Sequence, residues 1–413
     1  MTSCDIQATP LLPMDDAIDC VLRAAMARHG ARPDPHVDLP LWDAHGHVLA
    51  ASVLADRDTP PFDRSAMDGF AFRAADVPGQ PLRIIGEVPA GTIFGGVVGP
   101  GEAVSIMTGA PMPEGADTVA MIERCEVTGA HVVIEGPTTL GRHIARRGED
   151  VSEGDVAVPA GRAIQGPTVG VLAGVGAAKV TVHRPPRVTV MATGDELVEH
   201  DETPAAHQIR EGNRHTVMAM LRSLRAATVD GGIVADTQEA LRDAVRAAAS
   251  SDVIVLSGGV SKGKYDLVKP VLEDLGMETL FHGVQAKPGK PVLFGRLDGS
   301  LVLGLPGNPV STYVMAVLLL LPMVRALAGL AHPRTRTLSA QLKGALPPTK
   351  RRTTYHPAVL IGGAQGGPAE VTPVSWRGSG DLTGYSQCNC LIRTEVNAAA
   401  AADGAQVRVL LCG

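Results

Sequence analysis

The spacing of hydrophobic and polar positions changes several times along the 413-residue chain. Near its start, apolar side chains recur at intervals of three and four residues, at Ile18, Val21, Leu22, Ala25 and Met26. This spacing places them on one face of a helix, so we predict an amphipathic helix that packs this face against a core.

Short Val- and Ile-rich runs separated by Gly and Pro fill positions 41–140, for example LRIIGEV and HVVIEG. Short apolar runs bounded by Gly and Pro predict short β-strands. Positions 141–182 show a mixed pattern that closes with the strand-like run AAKVTVH. After about position 332 the β pattern returns, which predicts a terminal barrel or sandwich.

A third pattern occupies positions 187–330, where apolar strand-like runs (VTVMA, ATVDGGIV, DVIVL, LVLGL) alternate with amphipathic helices such as 214–225. Strands that are apolar throughout are typical of a parallel sheet covered by helices on both faces. The chain is therefore predicted to be a multidomain α/β plus β protein, with a central α/β unit containing a parallel sheet.

Charge and composition narrow the functional classes. The chain has 37 Lys and Arg against 43 Asp and Glu, and only 3% of its residues are aromatic. Nucleic acids and anionic membranes require a basic surface, so neither is an expected partner. The longest apolar run, at 313–324, is shorter than the roughly 20 residues of a membrane span and contains Pro322, which favours a buried core helix.

The N-terminal residues and the cysteines bear on the cellular compartment. The first 16 residues lack a basic segment followed by an apolar one, so we expect a cytoplasmic protein without a secretory signal. The six cysteines are sparse, and Cys388 and Cys390 are accompanied by no second such pair or His cluster. Reduced thiols are therefore favoured over a zinc site.

Three turns rich in Gly or hydroxyl residues directly follow predicted strands of the α/β unit: TGDEL at 193–197, SGGVSKGKYD at 257–266 and GLPGNPVS at 304–311. Ligands of open α/β sheets bind beyond the carboxyl ends of the strands, where backbone N–H groups and helix N-termini attract anions. None of the turns matches a Walker A or G-x-G-x-x-G motif. They predict a phosphate-type site outside the common nucleotide hydrolases and nicotinamide enzymes.

Charged residues extend this candidate site. In KPGKP at 287–291, Pro288 and Pro291 restrict the backbone around Lys287 and Lys290. This restriction lowers the entropy cost of holding both ammonium groups on one oxyanion, although a solvated surface loop is an equal alternative. Several carboxylates follow predicted strands, and acidic groups around a phosphate site imply a bound cation such as Mg²⁺. A lone acidic residue is more often a cap or a solvated group.

Seven motifs occur in a fixed order along the chain. They are PPFDRSAMDGFAFR (60–73), MTGAPMPEGADTV (107–119), RRGEDV (146–151), the three turns above, and KPGKP. In order and spacing they resemble the molybdopterin molybdenumtransferases, the bacterial MoeA family, to which the E domain of gephyrin is similar. The resemblance covers residues 12 to about 330 and weakens over the last 80.

The resemblance implies four parts in each subunit. Part I is helical and extended and comes from two segments, 1–42 and 141–182. Part II is an inserted small β domain at 43–140. Part III is an α/β molybdopterin-binding domain at 183–331, similar to the MogA-type adenylyltransferases. Part IV is a C-terminal β-barrel at 332–413.

The resemblance also implies an activity and its partners. The family inserts molybdate into adenylylated molybdopterin and releases AMP, with Mg(II) or a similar divalent cation. It works as a homodimer, with the site between part III of one subunit and part II of the other. A molybdopterin adenylyltransferase and recipient molybdoenzymes are possible further partners.

Matching the family's motifs residue by residue gives candidate roles. The carboxylates implied in catalysis are Asp266, Glu196, Asp63, Asp68, Asp150 and Asp236, and Asp266 and Glu196 are also the implied metal ligands. The residues implied in binding the oxyanion are Lys287, Lys290, Ser311, Arg352 and Ser379. Those implied in binding the pterin phosphate are Gly258, Gly259, Ser261, Pro306, Gly307, Asn308 and Pro309.

Three positions depart from the family's pattern. Arg64 stands where many members have Asn, and Lys262 and Lys264 make their loop more basic than in those members. The alternatives are a relative that uses tungstate, an adenylyltransferase-like relative, and an inactive scaffold of the gephyrin E type. The adenylyltransferases carry a TGGTG-type turn where this chain has SGGVS, which disfavours the second alternative. The retained charged residues at 196, 266, 287 and 290 disfavour the scaffold.

Overall fold

The computed structural model describes residues 11–77, 80–260, 266–363, 367–381 and 383–412. Its α-helices are Met14–Gly30, Gly166–Gly174, Asn213–Ser223, Gln238–Ala247, Val268–Asp274, Pro309–Met315 and Leu321–Leu327. A π-helical segment, Ala316–Leu320, joins the last two helices into one.

The predicted N-terminal helix is Met14–Gly30. Val21 and Leu22 are buried in the same hydrophobic cluster as residues of the α/β sheet, whereas Met26 is 53% exposed. Arg28 in the last turn of the helix and Arg32 just after it approach the Asp252 carboxylate at 3.1 and 3.2 Å. The helix therefore packs on the α/β unit and belongs to its core.

Two separate chain segments pair on either side of an insertion. The strand His36–Pro40 runs antiparallel to Lys179–His183, and Val53–Leu54 pairs with Val156–Val158. The helix Gly166–Gly174 within the second segment was not predicted. These pairings bring together the two segments that precede and follow the insertion.

The insertion is a six-stranded sheet in the order Thr118–Met121, Gly69–Phe72, Glu102–Ile106, Leu82–Val88, His131–Ile134 and Cys125–Thr128. Its side chains alternate between two buried clusters, as strand geometry requires. Ala71 and Val104 belong to one cluster, and Phe70 and Phe72 to the other. Both faces of this small sheet therefore carry a core.

The α/β unit contains a six-stranded sheet in the order Ala227–Val234, Arg187–Thr193, Val253–Ser257, Ser300–Leu305, Leu293–Leu297 and Glu278–His282. The first four strands are mutually parallel, as predicted. Leu293–Leu297 is antiparallel to both of its neighbours. The physical reason is a two-residue turn at Asp298 and Gly299, both with positive φ, and this Asp-Gly hairpin signal was overlooked in the sequence.

The apolar run after GLPGNP forms the 19-residue helix Pro309–Leu327, which by length and composition alone could cross a membrane. However, 89% of its apolar window is buried inside the protein. The predicted core helix is therefore confirmed, although it is longer than the apolar run suggested. The π-helical segment ends at Leu320, two residues before Pro322, and the helix continues through the proline without a break.

The C-terminal region is a closed five-stranded barrel, in the order Thr353–Ile361, Glu370–Pro373, Thr337–Leu342, Gln406–Leu411 and Cys390–Thr394, with the last strand pairing back to the first. The barrel alternative is thus confirmed over the sandwich. The short strand Ala286–Lys287 of the α/β unit adds to the barrel beside Thr353 and Thr354. The remaining short strands are Arg64–Ser65 with Ile144–Ala145, and Leu197–Val198 with Ile209–Arg210.

Candidate functional site

The three predicted turns meet at the carboxyl edge of the parallel strands. A Cβ on Gly258, whose φ is +101°, would lie 2.3 Å from the carbonyl oxygen of Thr193 in the TGDEL turn. A Cβ on Gly307, in the third turn, would lie 3.6 Å from Gly258 Cα. Gly259 has a φ of +61° and lies against the Thr193 and Val268 side chains. Only glycine allows these backbones to approach so closely.

Asn213, which was not among the predicted site residues, links two of the turns by hydrogen bonds. Its side-chain amide donates to Ser257 Oγ at 3.0 Å and to the carbonyl oxygen of Gly307 at 2.7 Å. A Gly-Asn pair directly before a helix was the available signal. In the third turn, Asn308 Nδ2 donates to Ser379 Oγ at 3.0 Å. The segment between the barrel strands Glu370–Pro373 and Cys390–Thr394 therefore contacts this turn.

The acidic residues at this edge form a connected group. Asp195 Oδ1 accepts a hydrogen bond from the backbone N–H of Asp236 at 3.0 Å, and Thr193 Oγ1 donates to Asp236 Oδ1. The Glu196 carboxylate turns back over Gly194, where a Cβ would lie 2.6 Å from Glu196 Oε2. The carboxylate oxygens of Asp195, Glu196 and Asp236 therefore lie beside the TGDEL turn, and two of these residues, Glu196 and Asp236, are predicted site residues.

The strand register places the KPGKP loop at the same edge. Leu293 pairs with Gly304, so Lys290, three residues before Leu293, lies beside the end of the strand Ser300–Leu305. Gly289 packs against Met315 on the helix that follows the third turn, where a Cβ would lie 2.5 Å from the Met315 Cγ. Lys290 is exposed at this edge.

Lys287 lies where the α/β unit joins the barrel. It is exposed and pairs with Thr354 on the first barrel strand, while Arg352 Nη1 donates to the Ala286 carbonyl oxygen at 3.3 Å. Burial, with the nearby Lys287 charge, lowers the pKa of His356 to about 4. His356 is therefore neutral at pH 7, and the positive charge of this junction comes from Lys287 and Arg352.

The other predicted residues of this half surround the turns. Pro309 begins the long helix, and Ser311 in its first turn is 3% exposed. Asp266 lies two residues before the helix Val268–Asp274, so Leu267 and not Asp266 holds the position before that helix. Pro306 follows the strand Ser300–Leu305, and its carbonyl oxygen accepts a hydrogen bond from Thr312 Oγ1. Ser261, Lys262 and Lys264 lie outside the described residues.

The remaining predicted carboxylates lie in the first half of the chain and have local partners. Asp63 accepts bonds from Arg146 Nη1 at 2.6 Å and from the Arg147 N–H at 2.9 Å, and these donors lower its pKa. Asp68 accepts from both the N–H and the hydroxyl of Thr108, which lowers its pKa as well. Asp150 is exposed, and its N–H donates to the Thr59 carbonyl oxygen at 2.9 Å. The hydrogen bonds described here for these three carboxylates link them to their own half of the chain and not to the glycine turns.

Two further features named in the sequence are Arg64, where the chain departs from the family's pattern, and the pair Cys388 and Cys390. Arg64 is exposed on a short strand that pairs with Ala145. Burial raises the pKa of the Cys390 thiol to about 12 and also raises that of Cys388. Because metals bind the thiolate form, burial of these thiols works against a zinc site at this pair.

Together, this edge offers converging backbone turns, a helix N-terminus, two exposed lysines and a group of carboxylates. Such a set can bind a phosphate-bearing ligand next to a small oxyanion, and the oxygen-only acidic group suits a hard divalent cation. No side chain in the set is arranged as a nucleophile with an adjacent base, which favours chemistry by positioning and charge neutralisation.

Comparison with known families identifies three matching regions. Residues 12–176 match the family described as "MoeA N-terminal region (domain I and II)". Residues 189–326 match "Probable molybdopterin binding domain", and residues 339–412 match "MoeA C-terminal region (domain IV)". The three matches follow one another along nearly the whole chain.

Individual relatives agree with these matches. The chain is 35% identical over 362 residues to "Molybdopterin molybdenumtransferase" of Haemophilus influenzae, covering 86% of this chain and 89% of that protein. It is 34% identical over 333 residues to the protein of the same name from a Nostoc species, covering 78% and 76%. A solved MoeA structure from Pyrococcus horikoshii superposes with a TM-score of 0.80 at 26% identity, covering 97% of this chain and 100% of that one.

Proposed function

Because this chain belongs to the MoeA family, we propose that it is a transferase of molybdenum cofactor biosynthesis that inserts molybdate into adenylylated molybdopterin and releases AMP. The observation that carries this proposal is the meeting of the three glycine turns at Gly258, beside the KPGKP loop. Backbone turns and ammonium groups both bind anions, and the two proposed substrates, adenylylated molybdopterin and molybdate, are both anionic.

The glycine turns are proposed to bind the pterin phosphate. Gly258, Gly259, Gly307 and Asn308 line the place where the turns meet, beside the positive end of the helix that begins at Pro309. Pro309 has no N–H, and the N–H of Val310 donates to the Ser379 carbonyl oxygen at 3.1 Å. Backbone N–H groups and a helix N-terminus stabilise a phosphate without needing a counter-charge from a side chain. Asn213 holds the turns in register by bonding to both Ser257 and Gly307.

Lys287 and Lys290 are proposed to bind molybdate. Molybdate is a tetrahedral dianion, and ammonium groups supply rotatable donors without imposing a planar arrangement. Arg352 bonds to Ala286 next to Lys287, Ser379 bonds to Asn308 of the third turn, and Ser311 lies in the first turn of the helix that follows. These three residues are proposed as further contacts. Because the lysines are exposed and lack a described ion pair, their charge is available to a ligand.

The acidic group is proposed to hold a divalent cation such as Mg²⁺. Asp266 and Glu196 would be its ligands, with Asp236 beside them, and all three offer the oxygen atoms that hard cations prefer. When bound, the cation would neutralise phosphate charge during cleavage of the phosphoanhydride. The chain's own contribution is to fix Asp236 through Thr193 and through the bond from its N–H to Asp195.

The second half of the site is proposed to come from a partner subunit. Asp63, Asp68 and Asp150 are bonded within the first half of their own chain, away from the turns. A homodimer that places part II of one subunit over part III of the other would bring these carboxylates to the substrate. We also retain the four-part division of the chain and a cytoplasmic location as proposals.

The direct test is AMP release from adenylylated molybdopterin by the purified protein. Release is expected only when molybdate and a divalent cation are both present. Lys290→Ala and Asp266→Asn are each expected to lower the rate by about 100-fold or more. The first removes a positive charge that neutralises the oxyanion, and the second removes a proposed ligand of the cation that neutralises phosphate charge. Lys179→Ala is the matched control, since Lys179 is an exposed lysine on a strand of part I, and it is expected to retain full activity.

Other outcomes of this assay favour the alternatives. Equal rates in the two site variants and in Lys179→Ala would refute the site assignment. Binding of the pterin without AMP release would support an inactive scaffold. Running the assay with tungstate in place of molybdate decides the oxyanion preference.

The proposed subunit arrangement has its own test. Asp68→Asn and Lys290→Ala chains carrying different affinity tags can be co-expressed, and the mixed dimer isolated through both tags. If each site combines part III of one chain with part II of the other, one site of the mixed dimer is intact and about half of the wild-type activity returns. If each site lies within one chain, both sites are damaged and no activity returns.

A further inference from the structure

A second cluster of ligand-type side chains lies in the α/β unit, just after the TGDEL turn along the chain. The turn after the strand Leu197–Val198 carries Glu199 and His200, and the first turn of the helix Asn213–Ser223 carries His215. One ligand atom from each residue lies within 4.8 Å of the others. The two imidazole rings are 4.8 Å apart, centroid to centroid, at 72° to one another. The function proposed above uses none of these residues.

The spacing of the three atoms suits a single metal ion. Atoms that are all within 4.8 Å of one another lie no more than about 2.8 Å from a common centre, while zinc bonds to nitrogen and oxygen measure about 2.0–2.2 Å. The side chains would therefore need to move by less than about 1 Å to coordinate an ion. His200 is exposed, and Glu199 and His215 are half-buried, so the cluster is open to solvent on one side.

His215 is oriented by a buried carboxylate. Its Nδ1 lies 3.3 Å from Glu211 Oε2, and Glu211 is 4% exposed. An Nδ1–H that donates to this carboxylate leaves the lone pair on Nε2, which is the nitrogen then able to bind a metal. A carboxylate behind a histidine is the usual support of a metal ligand.

The charge around the cluster favours a cation. The Arg214 guanidinium contacts three carboxylates, of Glu199, Glu211 and Asp230, and its side chain is 3% exposed. Apart from the imidazoles, one guanidinium and three carboxylates give this group a formal charge of −2. Arg214 Nη2 also fixes the Glu199 carboxylate at 2.6 Å. A bound dication would cancel this charge without further rearrangement of the pairs.

We propose that Glu199, His200 and His215 form a binding site for a transition-metal dication of the Zn²⁺, Co²⁺ or Ni²⁺ type, with water completing the coordination. Two imidazoles and one carboxylate select such ions over Mg²⁺, which prefers oxygen ligands alone. The site is separate from the acidic group at the glycine turns, and His215 lies two residues after Asn213 on the same helix.

The test uses the full-length chain without a histidine tag, titrated with Co²⁺ and followed by its visible absorption, with Zn²⁺ as the competitor. We expect one tight Co²⁺ per chain, displaced by Zn²⁺ and not by Mg²⁺. His200→Ala and His215→Ala are each expected to weaken binding by more than about 100-fold, and Glu211→Gln by about 10- to 100-fold. His207→Ala is the matched control and should bind like the wild type, since His207 is exposed and lies outside the cluster.

A second measurement needs no variant. Diethylpyrocarbonate modifies exposed histidines, and mass spectrometry reports the extent at each site. Zn²⁺ is expected to protect His200 and His215 while leaving His207 modified. Absence of saturable Co²⁺ binding to the wild type, unchanged binding in the doubly substituted His200→Ala, His215→Ala protein, or equal modification with and without Zn²⁺ would each overturn the proposal. None of these results depends on the molybdenum chemistry.

Discussion

The glycine turns of the α/β unit and the carboxylates of the first half of the chain are both proposed to serve one reaction, yet they are built differently. Around Gly258 the geometry comes from backbone, fixed by the parallel strands Val253–Ser257 and Ser300–Leu305, which are buried throughout. Asp63 and Asp68 are instead held by side chains and N–H groups at the surface. The glycine turns are held by the buried strands beneath them, whereas the surface carboxylates are positioned by nearby charged groups and N–H groups.

This difference predicts how each region tolerates change. A substitution at the turns must disturb packing as well as function, because no space is free between the backbones. A substitution at the surface carboxylates should affect function while leaving stability almost unchanged, because exposed ion pairs contribute little to folding. The following predictions test this contrast, beginning with the largest effect.

Gly258→Ala is expected to lower AMP release by about 100-fold or more, because a Cβ 2.3 Å from the Thr193 carbonyl oxygen must displace one of the two turns. Gly276→Ala is the matched control, since Gly276 has a similar φ of +93° but open space around it. It should cost about 1 kcal/mol of unfolding free energy and leave turnover within about twofold. Equal activity of the two variants would show that the turns do not form the binding site.

Asp68→Asn is expected to lower AMP release by at least about tenfold, with a change in unfolding free energy below about 1 kcal/mol. Asp76→Asn removes the charge of a similar acceptor in the same region, since Asp76 Oδ2 accepts from the Gly101 N–H at 3.0 Å. This control should match the stability of Asp68→Asn and keep full activity. A loss of activity in both variants would indicate a general effect of charge on this region.

His356 makes the junction of the barrel with Lys287 sensitive to acid. Its pKa is lowered to about 4 in the folded protein, while an unfolded histidine titrates near its ordinary 6.5. Its contribution is therefore fully present above pH 6.5 and is lost as the pH falls toward 4, because the unfolded state binds the proton more readily. Between pH 7 and 5 the loss should be about 1–2 kcal/mol.

Urea unfolding at both pH values measures this effect, with His356→Gln as the comparison. The variant should lose about 1–2 kcal/mol less than the wild type over the same interval. His131→Gln is the control, because His131 is exposed and should leave the pH dependence unchanged. Identical pH dependence in the wild type and His356→Gln would contradict the buried neutral state of His356.

Arg146→Ala should give the smallest effect. The Arg146–Asp63 pair has side chains that are 53% and 38% exposed, so its removal should change the unfolding free energy by about 0.2–1 kcal/mol. Thermal unfolding at low and high salt measures it, and the difference should shrink as salt screens the pair. A loss of several kcal/mol would mean that this surface is as tightly built as the glycine turns.

The local sequence determined much of what is seen. The spacing of apolar residues and the positions of Gly and Pro predicted the N-terminal helix and the alternating strands and helices of the α/β unit. They also predicted the β character of both flanking regions. These features depend on which side chains face a core, and that is visible in the local sequence. The ordered motifs gave the family. The three glycine turns were predicted to lie at one sheet edge, and the structure brings them together there, since parallel strands end on the same side.

Only the tertiary structure decided which distant residues meet. Asn213 joins two turns, Lys287 pairs with the first barrel strand, and Glu211 stands behind His215, and no local pattern announces any of these contacts. The antiparallel strand Leu293–Leu297 likewise depends on a two-residue turn that reverses the chain. The physical reason is that spacing along the chain fixes which face a residue occupies, whereas its neighbours across the fold are fixed by how the elements pack.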